Sequence, residues 1–261
     1  MHKTIVIIPA RYASTRFPGK PLATLRGCTI IQRVYMAVEE SCADVYVATD
    51  DQRIFNEVEA FGGRAVMTSP DHRSGTDRCL EALEKIEAAE GKQWDIVINV
   101  QGDEPFINSN LLTLVRCCFQ DPRAQIGTLV KYIPADATIE ELENPNMPKV
   151  VFDDEDFALY FSRSVIPYLR GVPREKWAAH HRFYKHIGIY GFRADVLREI
   201  AKLPQSSLEQ CESLEQLRWL QAGYRIKVST SPYETIGIDT PEDLQRAESF
   251  FEGSEELKKI Y

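Results

Sequence analysis

Short apolar runs alternate with amphipathic stretches through the first half of this chain. Four runs have the length and composition of buried strands: residues 4–8, 45–49, 65–67 and 95–100. Four stretches place apolar side chains on one helical face: residues 30–40, 54–61, 76–89 and 111–118. Because strands joined by helices of this length run parallel, the pattern predicts an α/β fold with a mostly parallel sheet and helices on both faces.

The second half is less regular and predicts a smaller, β-rich subdomain. Strands are expected at 128–132, 149–152, 158–161, 186–192 and 225–229, and the second and third of these form a hairpin. Residues 167–181 are expected as a loop or short helix. One long helix is expected at 207–222, with five side chains facing inward: Leu208, Cys211, Leu214, Leu217 and Leu220.

The last helix has a clear start in the sequence. Thr240 is expected as its N-cap, since Pro241 and two acidic residues follow. No linker separates independent domains. We therefore expect a single domain over residues 1–261, with a subdomain inserted at about 128–222.

The loop after the first apolar run concentrates fixed cations in a stiff backbone. It carries Arg11, Arg16 and Lys20 between prolines at 9, 18 and 21. Arginine grips phosphate oxygens through its planar fork, lysine adds a point charge, and open α/β sheets bind ligands at such strand ends. The loop therefore predicts a polyphosphate site, with a solvated surface loop as the alternative. It is neither a P-loop nor a GxGxxG loop.

Composition and charge exclude several classes of protein. The formal net charge of −8 argues against nonspecific nucleic-acid binding, so an anion site has to be a local basic pocket. No apolar run reaches the roughly 20 residues of a membrane span, and the N-terminus does not resemble a signal peptide. The six cysteines form no CxxC pair. We expect a cytoplasmic protein with reduced thiols, with no membrane or nucleic-acid partner.

Two aspartates follow apolar approaches and are candidates for holding Mg²⁺. Asp103 comes just after the run at 95–100, between Gly102 and Pro105, and Asp239 precedes the last helix. Mg²⁺ prefers one or two carboxylates together with phosphate oxygens and waters. Turn formation for Asp103 and helix capping for Asp239 are the alternatives. The pair together favours a metal clamp opposite the fixed cations.

The start of the third predicted helix, Ser74 to Arg78, offers free N–H groups for an anion or a base edge. An ordinary N-cap is an equally good interpretation of these residues alone.

These segments together resemble the family of 3-deoxy-manno-octulosonate (Kdo) cytidylyltransferases, within the sugar nucleotidyltransferases. The N-terminal match is IPARYASTRFPGKPL at 8–22, and NVQGDEP at 99–105 is the second long one. The others, in the family's order, are VATD at 47–50, DHRSGTDR at 71–78, YFSR at 160–163, HIGIYG at 186–191, LEQLR at 214–218 and GIDTPED at 237–243. Asp77, in place of the more usual Glu, and the stretch at 170–182 depart from the pattern.

The resemblance implies a Rossmann-like nucleotidyltransferase sheet and a reaction in which CTP and Kdo give CMP-Kdo and pyrophosphate, for lipopolysaccharide biosynthesis. It implies Mg²⁺ as cofactor and a homodimer built through the inserted subdomain. The implied catalytic residues are Lys20, Arg16, Asp103 and Asp239, of which the two aspartates hold the metal. The implied nucleotide-binding residues are Pro9, Ala10, Arg11, Arg16, Lys20, Ser74, Gly75, Arg78, Gln101 and Asp103.

On the sugar side, the resemblance implies Arg163 and His186 as the cations for the Kdo carboxylate. It implies Tyr190, Glu215 and Gln216 as contacts of the sugar hydroxyls. His186 alone would be interpreted as a structural histidine.

Three other functions stay open at this point. A cytidylyltransferase for sialic acid or another ulosonic acid shares the N-terminal loop. A metal-dependent glycosyltransferase would need an Asp-x-Asp pair, whereas Asp103 is followed by Glu104 and Pro105. A nucleotide-binding protein without activity would not need Lys20, Asp103 and Asp239 together.

Overall fold

The computed structural model describes residues 2–13, 17–233, 237–238 and 240–253, with side chains up to residue 249. The chain divides into two compact units. The first comprises Met1–Leu112 and Thr235–Tyr261, and the second comprises Thr113–Glu234. The second unit is thus inserted in sequence between the two parts of the first, and the subdomain expected at 128–222 falls within it.

The first unit is built on a parallel sheet whose strands occur in the order β6-β1-β4-β5. Its strands are β1 (Thr4–Ala10), β2 (Thr24–Leu25), β3 (Cys28–Thr29), β4 (Val45–Thr49), β5 (Ala65–Met67) and β6 (Ile96–Asn99). Its helices are α1 (Ile30–Glu39), α2 (Gln52–Ala60), α3 (Gly75–Glu90) and, at the chain's end, α10 (Pro241–Gly253). The mostly parallel α/β sheet predicted from the alternating runs is therefore confirmed.

The central strand β1 explains why this sheet is stable and where its polar loops lie. Ile5 to Ile8 are completely buried, as a strand covered on both faces must be. In register, Val6 lies beside Val45 of β4, and Ile7 beside Asn99 of β6. Because the strands are parallel, their carboxyl ends meet at one edge, where the loops after Ala10 and Asn99 begin.

Side-chain caps fix the starts of the helices in the first unit. Thr29, Asp51 and Ser74 each accept a hydrogen bond from a backbone N–H of the first turn of α1, α2 and α3. Thr240 Oγ1 accepts from the Asp243 N–H at 3.2 Å, so the expected N-cap of α10 is confirmed.

The second unit contains a mixed sheet. Strand β7 (Ile126–Tyr132) pairs antiparallel with β10 (Tyr184–Arg193) and parallel with β11 (Ile226–Thr230). The predicted hairpin is present as β8 (Lys149–Phe152) and β9 (Ala158–Ser162). The helices are α5 (Ile139–Glu143), α6 (Trp177–His180), α7 (Ala194–Ile200), α8 (Ser207–Glu212) and α9 (Gln216–Gln221). Helix α4 (Ser109–Cys118) crosses the boundary between the units in sequence.

The single helix predicted for 207–222 is wrong. Helix α8 ends at Glu212, Ser213 adopts the left-handed conformation with φ 50°, and α9 begins at Gln216. The apolar spacing suggested one face, but Cys211 is exposed and Glu209 is buried. The cause lies outside the local pattern, in contacts from a distant strand that hold the backbone at 212–213 and are described below.

Residues 167–181 include a single 3-10 turn, Arg174–Lys176, and the short helix α6. Trp177 is buried there against Ile133, Leu142 and Phe183, a small second core. Among the described residues, no helix has the length and apolar character needed to cross a bilayer.

Candidate active site

A pocket of about 310 Å³ lies in the first unit where β1 and β6 end and α3 begins. We call it the strand-end pocket. Its lining is Pro9, Ala10, Arg11, Lys20, Pro21, His72, Arg73, Ser74, Gly75, Arg78, Gln101, Gly102 and Asp103. Every predicted nucleotide-binding residue that the structure describes is among them. Arg16 and Asp239, the remaining predicted residues of this site, lie outside the described residues.

Lys20 and Asp103 form an ion pair in the pocket. Lys20 Nζ lies 2.5 Å from Asp103 Oδ2, and only 11% of the lysine side chain and 29% of the aspartate side chain is exposed. The pair joins loops 83 residues apart. The sequence predicted a lysine for phosphate and an aspartate for metal, and the structure places these two charges together.

Glycine and an aromatic ring hold the basic loop in place. Gly19 has φ +73°, and a Cβ there would approach the Tyr12 ring to 3.0 Å. Its N–H donates to the Tyr12 carbonyl at 2.9 Å, and Lys20 then opens a short 3-10 turn. Arg53 stacks on the Tyr12 ring, with its guanidinium carbon 3.3 Å from the ring centroid.

The N-terminus of α3 closes another side of the pocket. Ser74 Oγ accepts from the Asp77 N–H at 3.1 Å, so its side chain acts as the N-cap. A Cβ on Gly75 would lie 3.3 Å from Pro9, which shows how closely the helix approaches β1. Because Ser74 and Gly75 line the pocket, the N-terminus of α3 is suited to bind an anion or a polar base edge.

Arg78 is a pocket residue whose charge is already paired. Its guanidinium donates to Asp50 Oδ2 at 3.1 Å and to Thr68 Oγ1 at 2.6 Å, and its side chain is 5% exposed. It therefore fixes the ends of two neighbouring strands, a contact that the sequence did not indicate.

The sequence prediction omitted His72 and Arg73, which line the pocket. Both stand in the segment 71–78, so the motif that identified Ser74 could have identified them. The His72 ring hydrogen-bonds the Glu81 carboxylate on α3, and this contact orients the ring.

Glu104 lies beside Asp103 in the chain, but its carboxyl group is buried and favours the neutral form. Burial, together with the neighbouring Asp103 charge, raises the pKa of Glu104 to about 8. Its Oε2 is buried and has no hydrogen-bond partner among the described residues. At neutral pH Glu104 is mostly protonated, so the negative charge facing Lys20 comes from Asp103.

The other end of the chain reaches Asp103 through the backbone. The Ile238 N–H donates to the Asp103 carbonyl at 2.9 Å. Within the described residues, no group of three or more His, Cys, Asp or Glu side chains is arranged to hold a metal ion.

The five predicted sugar-binding residues all lie in the second unit. We call them the sugar-side cluster: Arg163, His186, Tyr190, Glu215 and Gln216. The His186 and Tyr190 ring centroids are 5.2 Å apart. Burial raises the pKa of the Tyr190 phenol, and the negative charge of Glu215 raises it further. The protonated phenol can donate a hydrogen bond to a sugar hydroxyl.

His186 is expected as a cation, but the structure places its ring where burial favours the neutral form. The residue keeps some exposed surface, but its ring packs between Phe161 and Tyr190, and burial lowers the pKa of His186 to about 3. Thr128 Oγ1 donates to the Ile189 carbonyl at 2.8 Å and lies 2.9 Å from His186 Nε2. A hydroxyl has one proton, so Nε2–H is the donor in that second contact and Nδ1 is an acceptor.

Arg163, which the resemblance implies as a cation for the sugar carboxylate, is largely engaged by the protein's own backbone. Its guanidinium donates to the backbone carbonyls of Glu212 at 2.6 Å, Pro145 at 2.7 Å and Ser213 at 3.3 Å. These bonds use three of its five N–H groups. Arg163 therefore organises the backbone of two segments, at Pro145 and at 212–213, and two N–H groups are left for a ligand carboxylate.

Glu215 and Gln216 stand at the start of α9, after the break at Ser213. The Glu215 carboxylate hydrogen-bonds the Arg218 guanidinium one turn later. Gln216 is 4% exposed, and its Nε2 has no hydrogen-bond partner among the described residues. A buried amide N–H without a partner is costly, which is consistent with a ligand hydroxyl as its partner.

Known proteins match this chain in sequence over most of its length. A family model described as Cytidylyltransferase matches residues 5–228. The 3-deoxy-manno-octulosonate cytidylyltransferase of Phocaeicola vulgatus is 59% identical over 253 residues, covering 97% of this chain and 99% of that protein. The protein of the same name from Bacteroides thetaiotaomicron is 60% identical over 248 residues, covering 95% and 98%.

A solved structure shows the same relationship. The structure of a CMP:2-keto-3-deoxy-manno-octonic acid synthetase complexed with CTP matches with a TM-score of 0.85 at 42% identity, covering 96% of this chain and 98% of that one. The family model spans most of the chain, and these relatives cover nearly all of it. The chain therefore belongs to the cytidylyltransferase family.

Proposed function

We propose that this chain transfers CMP from CTP to the anomeric C2 hydroxyl of 3-deoxy-D-manno-octulosonate, with release of pyrophosphate. The observation that carries the proposal is the strand-end pocket, which gathers Arg11, Lys20 and Asp103 in one cavity. Relatives at 59% and 60% identity carry the name of this activity. The product, CMP-Kdo, is the activated sugar used in lipopolysaccharide biosynthesis.

The reaction needs charge neutralisation more than covalent chemistry from the protein. A bond forms between the C2 oxygen and the α-phosphorus, and the bond between the α-phosphorus and the bridging oxygen breaks, so that this oxygen leaves with pyrophosphate. The hydroxyl proton passes to water. Lys20, Arg11 and Arg16 neutralise the triphosphate and the charge that grows on pyrophosphate. Most of the acceleration then comes from positioning and electrostatics.

The chemistry of Asp103 fits Mg²⁺ as the cofactor. Its partly exposed carboxylate faces the pocket, and Mg²⁺ accepts such a ligand together with phosphate oxygens. Asp103 and Asp239 would hold the ion, and the Ile238–Asp103 backbone bond supports this pairing. The bound ion would offset charge on the α-phosphate and lower the pKa of the sugar hydroxyl, so that no protein base is required. On nucleotide binding, Lys20 exchanges the Asp103 carboxylate for a phosphate oxygen.

The sugar-side cluster supplies mainly neutral hydrogen-bonding groups. Gln216 Nε2 and the Tyr190 phenol can donate to Kdo hydroxyls, and His186 Nδ1 can accept. The two remaining N–H groups of Arg163 are the cationic contact for the sugar carboxylate. A neutral sugar would leave that contact unsatisfied, so it should be a poor substrate.

The test is pyrophosphate release from CTP, Mg²⁺ and Kdo, with CMP-Kdo identified by mass spectrometry. We expect release that requires all three components and stops with EDTA. Faster release with sialic acid than with Kdo would favour the sialic acid cytidylyltransferase alternative. No release with either sugar would overturn the proposed function, and an unchanged rate in EDTA would overturn the metal assignment.

We also propose a homodimer formed through the second unit. Leu159 and Tyr168 support an interface there, because these large apolar side chains are 61% and 74% exposed in the single chain. Light scattering should give twice the chain mass, and Leu159→Glu should reduce it. A monomeric parent protein would contradict this proposal.

A further inference from the structure

The connection between α8 and α9 has an unusual backbone for a residue with a Cβ. Ser213 adopts φ 50° and ψ 46°, in the left-handed region. A left-handed serine is less favourable than a glycine and persists only where surrounding contacts hold it. These contacts come from the end of β9, about 50 residues earlier in the chain.

Glu212 provides both side-chain and backbone acceptors for these contacts. Its Oε1 accepts from the Ser162 hydroxyl at 2.6 Å, and its Oε2 accepts from the Arg163 N–H at 2.9 Å. Its own carbonyl and that of Ser213 accept from the Arg163 guanidinium. The Glu212 carboxylate therefore binds the end of β9. Arg163, the residue after β9, binds the backbone of the break in return, so each contact stabilises the other.

The charges around Glu212 explain why a carboxylate stands there. Lys149 lies opposite Ser162 in the β8–β9 pair and is completely buried, with Nζ donating to the Asn144 carbonyl at 3.0 Å. Arg163 binds the next carbonyl, that of Pro145. Two cations thus hold the 144–145 segment. The negative charge of Glu212 acts on Lys149 and opposes the effect of the Arg163 charge.

The break determines where Glu215 and Gln216 lie. Both residues follow Ser213 within three positions, so a continuous helix would send their side chains in other directions. Gln216 is buried with an amide nitrogen that no described residue satisfies, and this group can serve a ligand only if the start of α9 is fixed. The position of Gln216 therefore depends on the backbone conformation of Ser213, which in turn depends on the contacts of Glu212.

We propose that Glu212 is a positioning residue for the sugar substrate, which holds the break at Ser213 so that Glu215 and Gln216 face the sugar. This inference rests on the proposed function, since it assigns these residues to Kdo. Glu212 itself is engaged by Ser162 and Arg163 and makes no contact with substrate. It acts on sugar binding alone, without effect on CTP.

The test compares steady-state kinetics with each substrate varied in turn. In Glu212→Ala, we expect the KM for Kdo to rise by about tenfold or more, which is the effect of about 1.4 kcal/mol of lost binding, while the KM for CTP stays within about twofold. Glu212→Gln should recover most of the loss, because its amide can accept from the Arg163 N–H and donate to the Ser162 oxygen. Gln210→Ala, an exposed position on the same helix, is the matched control.

Coupling to Gln216 separates positioning from general destabilisation. If Glu212 acts by orienting Gln216, then Glu212→Ala should add little to the KM for Kdo in a Gln216→Ala background. Fully additive effects would overturn the proposal, as would an equal rise in the KM for CTP or unchanged kinetics in Glu212→Ala.

Ser162→Ala and Glu212→Gln keep the test informative if Glu212→Ala does not fold. Ser162→Ala removes one of the two bonds to the carboxylate, and Glu212→Gln keeps both in altered form. Ser162→Ala should raise the KM for Kdo with little effect on CTP, and a parental KM for Kdo in it would count against the proposal. Failure of the proposed function is distinct, because the parent protein would then release no pyrophosphate with Kdo.

Discussion

The strand-end pocket and the sugar-side cluster differ in how their residues are held. In the pocket, parallel strands bring loops to one edge, and predicted residues such as Lys20 and Asp103 meet there through the topology alone. In the cluster, Arg163 and Glu215 are bound by neighbouring protein groups, and His186 is desolvated. The residues of a site at the ends of parallel strands can be predicted from the order of the strands in the chain. In a mixed subdomain, the site depends on individual long-range hydrogen bonds.

The largest effect should come from the pocket. Asp103→Asn keeps the size of the side chain but removes the charge beside Lys20, so we expect kcat to fall on the order of a hundredfold or more. Asp95→Asn, at the opposite end of the same strand region and exposed, is the control. Pyrophosphate release measures the rate, and a parental rate in Asp103→Asn would remove this carboxylate from catalysis.

Lys20→Met tests whether the lysine that pairs with Asp103 also binds the nucleotide's phosphates. We expect CTP–Mg²⁺ affinity to fall between about tenfold and a hundredfold, since a point charge is lost from the triphosphate. Each tenfold loss lowers the ligand's stabilisation of the fold by about 1.4 kcal/mol, which a thermal shift detects. The exposed Lys202→Met is the control. An undiminished shift in Lys20→Met would place the lysine outside the nucleotide site.

Arg163→Ala probes the cluster and should have a more selective effect. Loss of three bonds to backbone carbonyls should raise the KM for Kdo by about fivefold to tenfold and leave the KM for CTP nearly unchanged. Arg163→Lys should not restore it, because one ammonium cannot span three carbonyls in two separate segments. Arg170→Ala, at an exposed position, serves as control. If CTP and Kdo are impaired equally, the two sites are not functionally distinct.

His186 should have the smallest effect on catalysis across neutral pH, because its ring stays neutral. Its pKa falls from 6.5 to about 3 on folding, so between these values the unfolded chain binds a proton that the folded chain does not. The free energy of unfolding should therefore fall as pH drops below 6.5, by roughly 2 kcal/mol at pH 5, and be unaffected above it. Urea melts of the parent and His186→Gln measure the difference, with the exposed His180→Gln as control. A ring that titrates near 6.5 by NMR would contradict the assignment.

Local patterns were sufficient for much of the fold. The strands Val45–Thr49, Ala65–Met67 and Lys149–Phe152 have the predicted bounds, because each is a short apolar or alternating run between turn residues. β1 extends two residues beyond the predicted end, through Pro9 and Ala10. Pro9 ended the predicted strand because proline lacks an N–H, but its carbonyl and extended backbone still suit a strand.

The break at Ser213 shows where local patterns stop being sufficient. Leu208, Leu214 and Leu217 have helical spacing, and the stretch contains no proline or glycine before residue 223. The bonds from Ser162 and Arg163 that hold the break have partners 49 and 50 residues away. No window of sequence around Ser213 contains that information.

By itself, the sequence determined the α/β class and the meeting of the basic loop, Asp103 and the start of α3 at one sheet edge, because chain order and strand direction fix which ends coincide. Only the tertiary structure decided that Lys20 pairs with Asp103, that Glu104 and His186 are mostly neutral, and that Arg163 binds backbone. Charge state depends on desolvation, and hydrogen-bond partners depend on three-dimensional proximity. Neither property belongs to a residue type or to its spacing along the chain.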